Sequence, residues 1–74
     1  MKKYNRIKLV LKQQKRTGKW LAQKLGKDPV TISRWNRNIQ QPHLETLFEI
    51  ADLLRVPVCV LLEESEVRVD RKKE

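Results

Sequence analysis

The sequence predicts an all-α fold of five short helices in one domain, on three observations. Aliphatic residues recur at three- and four-residue spacing in successive stretches, the signature of helices with one buried face. Gly26, Pro29, Pro42 and Pro57 fall between those stretches, where helices end or begin. The chain has 74 residues and one cysteine, so a single small apolar core has to hold it without a disulfide.

Taken in order, Met1 to Tyr4 is expected to be loose, with Asn5 capping a first helix that runs to about Lys15. Ile7, Val10 and Leu11 form its buried stripe; Leu9 lies off it, and Lys8, Lys12, Lys15 and Arg16 take the remaining faces. IKLVLKQQKR also has the composition of a membrane-surface helix, but its apolar stripe is narrow and the core of so small a domain requires it. Thr17 caps a second helix ending near Leu25, with Leu21 and Leu25 on one face and the small Ala22 beside them. Trp20, next to Leu21, is expected to pack across the first two helices, the alternative being an indole N–H offered to a phosphate.

The stop and restart that follow are the most strongly signalled step in the chain. Gly26 enters the left-handed conformation that ends a helix, having no Cβ to clash. Asp28 then offers a carboxylate to the free amides of a new first turn, and Pro29 at its first position loses no hydrogen bond. In this third helix Ile32 and Trp35 face inward, which leaves Pro29, Val30, Ser33, Arg34 and Arg37 outward.

A polar loop, NIQQP, leads to a fourth helix over about His43 to Leu54, with Leu44, Leu47, Ile50, Ala51 and Leu54 as its core stripe and Phe48 and Leu53 outside it. Glu45, Glu49 and Asp52 make an acidic row better read as a solvated face than as acid–base or metal-binding carboxylates. Val56 packs the turn, and Pro57 opens a fifth helix to about Glu64, anchored by Leu61. Val58, Cys59, Val60 and Leu62 are then apolar residues left at the surface, with Cys59 a packing residue and not a reactive thiol. The domain is placed at 1–64 and a tail at 65–74, where Val67 and Val69 alternate with polar residues; disorder is the expectation there, a short strand the alternative.

Charge is segregated. The net +8 arises from a first half, residues 1–41, with twelve Lys or Arg against Asp28, a stretch, 42–66, with Arg55 against six acids, and the last eight residues, with four basic against two acidic. A basic half that contains the best-defined pair of helices is the footprint of a polyanion binder. One histidine and one cysteine exclude the usual zinc sets, so no metal or cofactor is expected. No apolar run approaches a signal peptide or a membrane span, which points to a soluble, cytoplasmic protein.

Leu21, Ala22, Leu25, Gly26, Ile32 and Trp35 stand in a pattern that resembles the helix-turn-helix of the phage Cro and repressor-type DNA-binding family, also called xenobiotic-response-element-like. The likeness continues through QPHLETLFEIADLLRVPV, residues 41–58, which is similar to the family's QPSLETLLKIAKALGVS, so that it covers roughly residues 5–63. Three positions depart from the pattern: Gly18 where the family often has a phosphate-fixing Gln, Lys27 where the turn usually carries an apolar residue, and His43 where Ser or Thr commonly caps the next helix. The resemblance implies a compact lambda-repressor-like domain with its helix-turn-helix at helices two and three. It implies base-reading roles for Pro29, Val30, Ser33 and Arg34, and phosphate-contacting roles for Thr17, Lys19, Lys27, Thr31, Arg37 and Asn38.

A weak two-fold dimer on double-stranded DNA is also implied, and the surplus apolar residues Val58, Val60 and Leu62 are the expected interface, away from the motif. The other class weighed is an antitoxin-like or adaptor module holding a protein partner with Phe48, Leu53, Val60 and Leu62. An enzyme is disfavoured, since no nucleophile and base lie at a recognisable spacing. RNA binding is also disfavoured, because exposed aromatics at stacking spacing are lacking.

Overall fold

The computed structural model describes residues 3–63. Four α-helices follow one another, α1 (Ile7–Gln13), α2 (Gly18–Leu25), α3 (Pro29–Asn36) and α4 (Leu44–Leu54), and a 3-10 turn, Val58–Leu61, closes the domain. The expected fifth α-helix is therefore this single turn. Leu62 leaves it in extended conformation and bridges antiparallel to Asn5. The Arg6 amide donates to the Leu61 carbonyl at 2.7 Å and the Glu63 amide to the Tyr4 carbonyl at 2.9 Å. Backbone groups that a longer helix would have paired locally are thus paired with the start of the chain.

Every element sends at least one side chain into the core. Ile7, Leu21, Ile32, Ile50, Leu54 and Leu61 are the largest fully buried side chains, each stabilising the fold by roughly 1.5–3 kcal/mol relative to exposure. Leu44 was expected among them and is instead 68% exposed. Leu44 shares the face of the buried Ala51, seven residues on, but stands in the first turn at the open end of α4, while Thr46, on the other flank of the stripe, is buried. Leu25, Leu53, Val56, Val58 and Trp20 pack partly buried around the core, so Val58 is not the free surface residue anticipated. Cys59 is exposed. Trp20 packs as expected, and the Arg16 guanidinium covers its ring at 4.4 Å.

All four helices end in the same way. Lys15, Gly26, Asn38 and Arg55 each follow a helix with φ between 58° and 67°. In each case the next residue's amide donates back into the helix: Arg16 to Leu11, Lys27 to Ala22, Ile39 to Arg34 and Val56 to Ala51. This is the Schellman geometry, which satisfies carbonyls that would otherwise be orphaned. α1 consequently ends at Gln13, short of Lys15. At the other end of α1 Asn5 Oδ1 accepts from the Ile7 amide at 3.1 Å, while His43 precedes α4 without a side-chain capping bond.

Candidate nucleic-acid interface

α3 is fixed from behind and bare in front. Ile32 and Trp35 are buried, and α2 packs against α3. A Cβ on Gly18 would stand 3.3 Å from Ile32 Cγ2 and 3.5 Å from Asn36 Nδ2, a fit that leaves glycine in place of the longer residue the resemblance calls for. Thr17 Oγ1 accepts from the Trp20 amide at 3.0 Å, and Asp28 Oδ1 from the Val30 amide at 3.0 Å, so both expected caps are formed. These caps and the Gly26 turn fix where α2 ends and α3 begins by local chemistry.

Pro29, Val30, Ser33, Arg34 and Arg37 are all exposed, with Val30 at 56%. By helical geometry they fall into two rows, Pro29, Ser33 and Asn36 along one and Val30, Arg34 and Arg37 along the next. Thr17, Lys19 and Lys27 are exposed as well, and Thr31 is half-buried. The side-chain nitrogen of Trp35 and the side-chain oxygen of Asn36 are buried without a hydrogen-bond partner.

Asn38 differs from its expected role. It is only 9% exposed, and its Oδ1 accepts from the amides of Tyr4 at 2.8 Å and Asn5 at 3.0 Å. Its Nδ2 donates to the Asn5 carbonyl at 3.2 Å, and Gln41 Nε2 donates to its Oδ1 at 3.2 Å. Asn5 reciprocates, its Nδ2 donating to the Trp35 carbonyl at 3.0 Å and to Gln41 Oε1 at 2.6 Å. The side chain thus ties the N-terminal segment to the end of α3, and its polar atoms are engaged within the protein. Sequence reasoning found Asn5 only as a helix cap. Its pairing with a residue 33 positions away leaves no local signal.

A helix-turn-helix family model matches residues 7–61, which includes α2, the turn and α3. The chain belongs to the Cro/C1-type helix-turn-helix family. Within this helix-turn-helix protein the motif is Gly18–Asn36, and the family match extends through α4 and the 3-10 turn. The crystal structure of a protein from Bacteroides fragilis described as "a putative DNA-binding protein" is similar, with 47% identity and a TM-score of 0.79, covering 80% of this chain and 95% of that one. Among curated proteins nothing matches the chain. Of the surface residues expected away from the motif, Val60 and Leu62 are exposed, as is Phe48, whereas Leu53 is half-buried. Val67 and Val69 lie outside the described residues. No described helix is long and apolar enough to cross a membrane.

Proposed function

We propose that this protein is a sequence-specific, repressor-like transcriptional regulator of the cytoplasm, not an enzyme, and that it reads the major groove of double-stranded DNA with α3. The observation that supports this is the bare outer face of α3, carried on buried Ile32 and Trp35 within the basic half of the chain. In this reading Arg34 pairs with the two acceptors of a guanine, Val30 meets a thymine methyl, Ser33 takes either sense of hydrogen bond, and Pro29 sets the helix start. Thr17, Lys19, Lys27, Thr31 and Arg37 serve phosphates, which position without specifying. The similar Bacteroides fragilis protein, described as DNA-binding, supports the same ligand class. Selection of bound sites from random duplex DNA tests the reading directly: a palindromic consensus is expected, and recovery of no consensus would count against it.

Arg34→Ala is expected to relax preference at one base position by about 1–3 kcal/mol. Lys27→Ala is expected to weaken binding to all sequences alike. The check is competition between the selected site and its single-base variants; identical, uniform losses for both substitutions would reduce Arg34 to a phosphate contact.

Two copies on half-sites ~34 Å apart are the expected bound form, paired through an isologous patch that includes Val60 and Leu62. The excess of acids in residues 42–66 keeps that pairing weak in solution. Val60→Asp or Leu62→Asp should leave the monomer folded and half-site binding intact while cooperative binding to the palindrome falls sharply. Unchanged cooperativity would put the interface elsewhere.

One observation favours an adaptor-like or antitoxin-like role alongside DNA binding. Leu44 and Phe48, one turn apart on α4, are 68% and 52% exposed, and such pairs commonly meet a partner. Pull-down from lysate set beside a gel shift separates the two roles.

A further inference from the structure

A cleft of about 320 Å³ opens between the outer face of α1 and the C-terminal end of α3, where the helix-turn-helix ends at Asn36. Lys3, Arg6, Lys8 and Lys12 line it, with Asn36 on its α3 wall and Glu63 as the acid among its lining residues. Resting on the DNA reading above, we propose that this cleft is a second phosphodiester site, in which Lys8 and Lys12 hold the DNA backbone bordering the groove that α3 enters.

Three features of the fold carry the assignment. Lys8 and Lys12 are four apart on α1, so both ammonium groups extend over one face, and both are exposed. Asn36 continues the row of Pro29 and Ser33 along α3, so the cleft adjoins one edge of the reading face, opposite the row of Val30, Arg34 and Arg37. Lys3 and Arg6 add two further cations to the lining against the one acid, Glu63, so the cleft carries a net positive charge suited to an anionic backbone.

The cleft is also held in shape. Asn38 fixes the amides of Tyr4 and Asn5, which sets Lys3 at the rim. Arg6 Nε donates to the Leu62 carbonyl at 2.9 Å, so Arg6 serves as a brace that adds charge, and Lys8 and Lys12 are left as the contacting groups. A row of phosphates running past the edge of α3 matches cations spaced along a helix better than a compact anion would. Each phosphate neutralised there releases condensed counterion and adds to the salt dependence of binding.

The test compares the full chain with K8Q/K12Q and with a charge-matched control, K24Q/R55Q. Lys24 lines a separate groove with the acids Glu49 and Asp52, and Arg55 follows α4; neither lines the cleft. Affinity for the selected duplex and for random duplex is measured across salt concentrations. K8Q/K12Q is expected to lower the slope of log K against log salt by about 0.9 for each phosphate lost, to weaken both duplexes by the same factor, and to leave the base preference assigned to Arg34 unchanged. The control is expected to keep the parent slope. Parent-like slope and affinity in K8Q/K12Q would overturn the cleft while the DNA reading stands. Equal losses in both double variants would also overturn it, by reducing the effect to net charge. A parent chain that binds no duplex at any salt concentration would remove both the cleft and the reading on which it rests.

Discussion

Alanine at position 38 is expected to cause one of the largest losses of stability available from a single polar side chain in this domain. Asn38 Oδ1 accepts from the backbone amides of Tyr4 and Asn5 at a site where Asn38 and Asn5 are 9% and 4% exposed. Removing an acceptor that strands buried donors costs about 1–3 kcal/mol. The backbone adds a second cost, because Asn38 has φ 59° and a β-carbon in the left-handed region costs on the order of 1–2 kcal/mol where no side-chain hydrogen bond offsets it. For a domain of this length each kcal/mol moves the melting temperature by about 4–8 °C, so thermal unfolding followed by circular dichroism resolves the effect easily. Asn38→Gly separates the two causes: glycine accepts the positive φ, so its loss should be confined to the hydrogen bonds and should be smaller than that of Asn38→Ala. An Asn38→Ala protein that melts within a degree or two of the parent would mean that water replaces the clamp at little cost.

Affinity of one monomer for its half-site is expected to fall by roughly 100- to 2,000-fold between 50 and 200 mM salt if about 4 to 6 phosphates are met per monomer, because log K falls by about 0.9 per phosphate for each decade of salt. The basis is the placement of charge. Twelve Lys or Arg stand in residues 1–41 with a single acid, and Lys19, Lys27, Arg34 and Arg37 are exposed on or beside α2 and α3. Screening at 0.15 M acts over about 8 Å, so cations held against phosphates dominate and distant ones contribute little. Fluorescence anisotropy on one duplex across a salt series measures the slope. A flat response would be incompatible with a basic phosphate-binding face.

Much of this molecule is legible in its sequence. The cap at Thr17, the glycine stop at Gly26 and the Asp28–Pro29 restart all formed as expected, because each depends on atoms within a few residues of one another. The same locality made Ile32 and Trp35 legible as the buried side of α3 and left the opposite face as the candidate site. The glycine-ended helix shows where such reading stops. Lys15 and Arg55 adopt the same left-handed geometry as Gly26, yet neither residue type advertises it, and tertiary packing supplies the energy that overrides their preference.

By itself, then, the sequence determined the helical class, the motif and its outward face, since these follow from spacing and from caps. Tertiary structure alone decided that Leu44 is exposed, that the apolar run after Pro57 forms one 3-10 turn and then pairs with Asn5, and that Asn38 is turned inward. In each case the partner, or its absence, lies far along the chain. The run after Pro57 has Tyr4 and Arg6 available for its backbone groups, Asn38 has the amides of Tyr4 and Asn5, and no neighbouring element reaches the open end of α4 to cover Leu44. A residue's own spacing fixes which face of a helix it occupies, but which faces are covered depends on where the other segments pack.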